Sequence, residues 1–204
     1  MIIYYYFLIT IILNLCEIIF YKDDWLRIMN KNKNYISKTL LFTLLINPLS
    51  LILSDYYIFQ NKHTMDNIYI EIIKFLIGIN LFDIFTYIIH YTQHLILYKY
   101  HKTHHQITDI CMFFSYYFDT IDLLLTSIPY YFLPQLLNLS KYGTYFIICF
   151  TIFFSLYEHR LYSHNNNKYF GFHNYHHYNP KKNFATGFPF ILIPLDKIFN
   201  TNSP

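Results

Sequence analysis

The chain reads as long apolar runs separated by short polar stretches. A helix that crosses a membrane needs ~20 mostly apolar residues. The first run, Ile2 to Phe20, is interrupted by Asn14 and Glu17. It lacks the basic start and the small-residue cleavage site of a signal peptide. The second, Ile36 to about Phe59, contains Pro48, and the third runs from Ile68 to about Tyr91. Ile121 to Leu139 carries Pro129 and Pro134 and reads as a kinked or re-entrant hairpin arm. Tyr142 to Tyr157 is short but almost wholly apolar. The pattern predicts an all-α, polytopic membrane protein with about four transmembrane helices.

The polar stretches orient these runs. Lys22, Arg27, Lys31, Lys33 and Lys38 stand between the first two runs against Asp23 and Asp24, so the positive-inside rule makes that loop cytoplasmic. The second run then exits and the third returns. If 121–157 goes out and back, everything from Glu158 onward is cytoplasmic too. The chain divides into an N-terminal transmembrane hairpin, 1–67, and a second region, 68–204. Glu71, Lys74 and Asp83 lie inside the third run, where ionisable side chains face a polar interior or a functional site. Glu71 and Lys74, three apart, are placed to neutralise one another. Asp83, Tyr87, His90 and His94 share one helix face.

Composition sharpens the picture. Only 13% of the 204 residues are charged and 54% are hydrophobic, where soluble domains carry about 25% charge. This argues against an ordinary soluble enzyme, a disordered chain or a collagen-like repeat. Net charge is +3 with no basic tract, so nucleic acid is not an expected partner. Cys16, Cys111 and Cys149 are scattered, as befits small buried hydrophobes.

The unusual feature is histidine. Ten of the 11 histidines fall between positions 90 and 177. HYTQH supplies His90 and His94, HKTHH supplies His101, His104 and His105, and HNYHH supplies His173, His176 and His177. On a helix, residues three or four apart are neighbours, close enough for two imidazoles to bind one ion. Eight such ligands exceed what one tetrahedral ion takes, so the count points to two metal ions. Imidazole suits iron, zinc, copper and nickel alike. HExxH, GxGxxG and Walker A motifs are absent, which disfavours a metalloprotease and a nucleotide cofactor. His63, isolated in a polar loop, reads as an ordinary solvated side chain.

These motifs resemble the fatty acid hydroxylase/sterol desaturase superfamily of membrane non-haem iron enzymes. The resemblance covers about 82–202, through FDIFTYIIHYTQH, LYKYHKTHH, EHRLY, HNYHHYNPKKNFATGF and LDKIFNT. The sequence departs from the pattern at Leu195 (usually Trp), Asn200 (usually Gly) and Leu161 (the middle-box Gly). The resemblance implies a cytosol-facing histidine-rich catalytic cap over the spans, two non-haem iron ions (with zinc as a substitute) and O2 as co-substrate. It implies hydroxylation or desaturation of a fatty acyl, sphingoid or sterol lipid, an endoplasmic-reticulum location, and an external electron donor such as a cytochrome-b5-type protein with its reductase. It adds His159 to the ligands if Glu158-His159 is the register, and His164 if SHNN is. Lys99, Lys102, Arg160, Lys168, Lys181 and Lys182 are either the donor's landing surface or ordinary positive-inside charges. Asp83 and Tyr87, with Asn183, are expected to support the ligands; Glu158, Asn174 and Asp196 are further candidates. Alternatives are a non-redox membrane protein that binds zinc and an inactive family member.

Overall fold

The computed structural model describes residues 2–60, 67–161, 172–185 and 191–201. Among these the chain is helical throughout, without a strand. Helices α1 (Ile2–Phe20) and α2 (Lys22–Lys31) precede α3 (Ile36–Leu41), which passes through a π-helical turn at Phe42–Ile46 into α4 (Asn47–Gln60). Then come α5 (Ile68–Ile96), α6 (Tyr98–His101), α7 (Thr120–Leu136), α8 (Lys141–Glu158), α9 (Phe172–Tyr178) and α10 (Leu195–Ile198). Among the described residues, three stretches are long and apolar enough to cross a membrane: Ile2–Phe20, Lys33–Leu53 and Ile68–Ile96.

The third stretch runs further than its hydropathy suggests. At 29 residues, α5 is ~43 Å long and outreaches a ~30 Å hydrocarbon core. The surplus turns carry His90 and His94. Pro129 and Pro134 lie inside α7, so the kinked arm is a continuous helix of 17 residues. It is joined through Leu137–Ser140 to α8, of 18 residues. The turn forms because Asn138 accepts a left-handed φ of 49° and Ser140 caps α8 through Gly143 N. Both hairpin arms rise only ~25–27 Å.

Helix α1 packs on α8 and α4, and α5 packs on α7 and α8. Between them lies a core that includes Tyr6, Leu51, Ile79, Ile148 and Leu156. Gly78 lets α5 and α8 approach, since a Cβ there would meet Ile147 Cδ1 at 2.6 Å. Outward-facing Leu8, Ile12, Ile73, Ile77 and Leu124 are exposed, apolar surface of the kind that lipid covers.

The π-helical turn follows from Pro48, which has no N–H. Asn47 N donates to Phe42 O, and the next donor would be that of Pro48. The Thr43 carbonyl is left for the Tyr6 hydroxyl of α1, which donates to it at 3.0 Å. Glu17, buried near the other end of α1, accepts from the backbone N–H groups of Met112 (2.9 Å) and Leu161. An acid in an apolar run thus ties α1 to the loops after α6 and α8.

Candidate metal centre

The end of α5, α6, the start of α7, the end of α8 and α9 converge at one end of the bundle. Nine of the ten histidines of the motifs meet there in two groups. His90, His94, His101, His105 and His176 form the first, and His104, His159, His173 and His177 the second. Within each group the ligand nitrogens all lie within 4.8 Å of one another. The motifs interleave: the second gives His101 and His105 to one group and His104 to the other. The third gives His176 to one, and His173 and His177 to the other. His159 stands in the second group. His164, His63, Lys168 and the side chain of Asn174 lie outside the described residues.

Hydrogen bonds settle which ring nitrogen faces inward. His90 Nδ1 donates to the Phe184 carbonyl (3.1 Å), His104 Nδ1 to Tyr117 (3.4 Å), His159 Nδ1 to Ser155 (2.6 Å) and His176 Nδ1 to Lys182. His101 Nδ1 donates to the Asp122 carboxylate at 3.0 Å. Carbonyls and carboxylates only accept, so Nδ1 carries a proton in all five and Nε2 is the nitrogen turned towards the group. Metal-binding histidines are commonly held this way.

The inward nitrogens fit metal ions. Two nitrogens each ~2.1 Å from one ion stand ~3.0 Å apart at a right angle and ~3.4 Å at the tetrahedral angle. His176 Nε2 is 3.0 Å from His94 Nε2, and His105 Nε2 is 3.1 Å from both His94 and His101 Nε2. His104 Nε2 is 3.5 Å from His159 and His173 Nε2. In the neutral form, the Nε2 lone pairs of His104 and His159 repel unless a cation lies between them. His90 Nε2 and His177 Nε2 are buried without a protein partner, as open ligands would be. Burial pushes the His159 imidazole down to about 4 and holds His104, His173, His176 and His177 well below the usual histidine range. Neutral imidazole is the form that binds metal.

The structure adds supporting residues that the sequence did not single out. Asp122 was not among them, yet it accepts from both His101 and Gln93 (Nε2, 2.7 Å) and is fully buried. Nor was Phe184, whose ring lies 5.4, 5.1 and 5.0 Å from those of His90, His94 and His176. An acid in an apolar helix start is the one signal that marks Asp122. Asp83 is buried on the His90 face of α5 and interacts electrostatically with Glu158. The Tyr87 hydroxyl meets Thr201 Oγ1 at 2.9 Å, and Asn183 N donates to Thr201 O at 2.6 Å. These two fasten the tail against α5. Asp196 secures it further, accepting from Phe184 N, Ala185 N and Thr201 Oγ1. Asn200 has φ 55°, a conformation that Asn tolerates in place of Gly.

An open cavity runs from the histidines into the bundle. His90, His101, His104, His159 and His173 line one part, and Phe82, Leu123 and Ile152 continue its apolar wall.

An all-α bundle with apolar spans and two buried histidine groups has the architecture of a membrane protein able to hold metal. The fatty acid hydroxylase family model matches residues 75–201, and the chain belongs to that family, within the fatty acid hydroxylase/sterol desaturase superfamily. No curated protein and no solved structure matches the chain. Membership and the histidine groups together support a lipid oxidoreductase of this superfamily.

Proposed function

We propose that the chain is an O2-dependent lipid hydroxylase or desaturase with two non-haem irons. His90, His94, His101, His105 and His176 would hold one, and His104, His159, His173 and His177 the other. The observation that carries this reading is the inward Nε2 set, fixed from behind by acceptors on Nδ1. When bound, iron supplies the O2 activation and one-electron chemistry that breaking an unactivated C–H bond requires. Hydroxylation consumes O2, two electrons and two protons and yields C–OH and water. Desaturation removes two hydrogens with the same consumption and yields two waters.

The chain's own part is positioning and exclusion. The apolar wall of Phe82, Leu123 and Ile152 keeps water from the histidines and aligns a hydrocarbon segment beside them. Asp122 orients His101, and Phe184 packs behind His90, His94 and His176. Electrons come from an external donor such as a cytochrome-b5-type protein and its reductase, docking where Lys99 and Lys102 flank the second motif. That end faces the cytoplasm, and the membrane is that of the endoplasmic reticulum.

The test is a lipid mass-spectrometry comparison of hosts expressing the wild type or His104→Ala, with metal analysis of the purified chain. Two irons per chain and a lipid gaining an oxygen or a double bond only with wild type are expected. Zinc in place of iron, with no lipid changed, would overturn the reading and leave a non-redox zinc protein.

A further inference from the structure

The carboxyl group of Asp196 and the imidazole of His90 meet at opposite ends of one peptide unit. Asp196 Oδ2 accepts from Ala185 N at 3.0 Å. The carbonyl of the same unit, Phe184 O, accepts from His90 Nδ1 at 3.1 Å. The order is thus carboxylate, amide N–H, amide C=O, imidazole N–H. Asp196 Oδ1 accepts in turn from Phe184 N at 2.8 Å and from Thr201 Oγ1 at 2.7 Å, so both carboxylate oxygens are held in place. At the far end, His90 Nε2 is buried without a hydrogen-bond partner. The array therefore ends on an open nitrogen of the first histidine group.

Such an array has an electronic consequence. A negative charge at the N–H end of an amide pushes electron density onto its carbonyl oxygen and strengthens the bond that the oxygen accepts. Hydrogen bonds in a chain reinforce one another in this way where the dielectric is low. A stronger acceptor on Nδ1 in turn makes Nε2 a better donor to a cation. Asp122 achieves this by touching His101 directly, and Asp196 reaches His90 through a peptide. Both histidines belong to the first group. In the second group His104 donates to Tyr117 O and His159 to Ser155 O, carbonyls outside the 182–201 tail. The tail also backs a further ligand of the first group. His176 Nδ1 donates to Lys182 O, and the adjoining Asn183 N donates to Thr201 O at 2.6 Å.

We infer that Asp196 is a positioning residue for one metal site of the two. Through the Phe184–Ala185 peptide it orients His90 and raises the affinity of the first group for a divalent cation. The second group takes no support from it. The two sites are therefore unequal, and loss of the Asp196 charge empties one and spares the other. The inference rests on the metal centre proposed above, but its test needs neither a lipid nor turnover.

The full chain in detergent is loaded with zinc(II) and dialysed against a graded series of chelator concentrations, and the zinc retained per chain is counted. Asp196→Asn removes the charge and should weaken the first site about tenfold. Over part of the series it should hold one ion where the wild type holds two. In a His94→Ala background, which already lacks a ligand of the first group, Asp196→Asn should remove nothing further. In a His159→Ala background, which lacks a ligand of the second, it should remove the ion that remains. Thr201→Val loosens the tail but keeps the Asp196 charge and the Ala185 bond, so it should stay close to the wild type. This milder variant keeps the test sound if Asp196→Asn folds poorly. An Asp196→Asn curve that matches the wild type, a loss that falls on the second group, or an equal loss in Thr201→Val would overturn this inference alone. A wild type that takes up no zinc would overturn the metal centre with it.

Discussion

At the scale of single residues, the centre depends on what stands behind each imidazole. Asp122 is the carboxylate that holds a histidine of the first group. Asp122→Asn should lower metal affinity roughly ten- to a hundredfold, read as metal retained after dialysis against a chelator; unchanged retention would remove Asp122 from the site. Acid should act on the same groups. His159 falls from an unfolded value near ~6.5 to about 4 on folding, so the unfolded chain binds more protons than the folded one. Its neutral form therefore favours folding above pH ~6.5, and that contribution is lost as pH falls towards about 4. The unfolding midpoint of metal-free protein should drop across this window, whereas a flat profile would contradict the burial of neutral imidazoles. The three histidine motifs were legible in the sequence because their spacing is local, at steps of three and four. Asp122 was not, because it meets His101 across 21 positions and no periodicity encodes that pairing.

At the scale of elements, proline and its compensation explain the shape of the second span. Tyr6→Phe leaves the Thr43 carbonyl unpaired and should cost ~1–3 kcal/mol, seen as a lower midpoint in thermal unfolding. Pro48→Ala restores a backbone N–H, so the double variant should lose less than Tyr6→Phe alone; an equal loss would mean that Thr43 O is not the acceptor that matters. The sequence announced Pro48 but not its partner, which sits 37 residues from Thr43 on another helix. It likewise located three spans yet ended the third near Tyr91. Hydropathy falls where histidines begin, while the α5 backbone continues to Ile96. In α7 the two prolines suggested a kinked or re-entrant arm, and the arm is a continuous helix of 17 residues packed on α5.

At the scale of the molecule, the basic α2 and the histidines lie at the same end. Lys31 and Arg27 of α2 pair with Asp109, and Asp109 also accepts from the Tyr178 hydroxyl at the end of α9. These contacts set the basic α2 beside the third histidine motif. A glycosylation acceptor introduced into 61–67 should be modified and one in 159–182 should not; the reverse pattern would invert the orientation. The division at residue 67, natural on hydropathy, cuts through shared packing, because α1 supplies Tyr6 to the core and Glu17 to the loops beside the histidines.

The cavity has walls of two origins. Its histidine part comes from the stretch matched to the family, 75–201, while Tyr6, Asn47, Ser50 and Leu51 come from before it. On the function proposed above, the reactive machinery and much of the mould for the substrate are thus written in separate lengths of chain. On that reading, changes at Tyr6, Asn47, Ser50 or Leu51 would reshape the cavity wall without touching a histidine of either group.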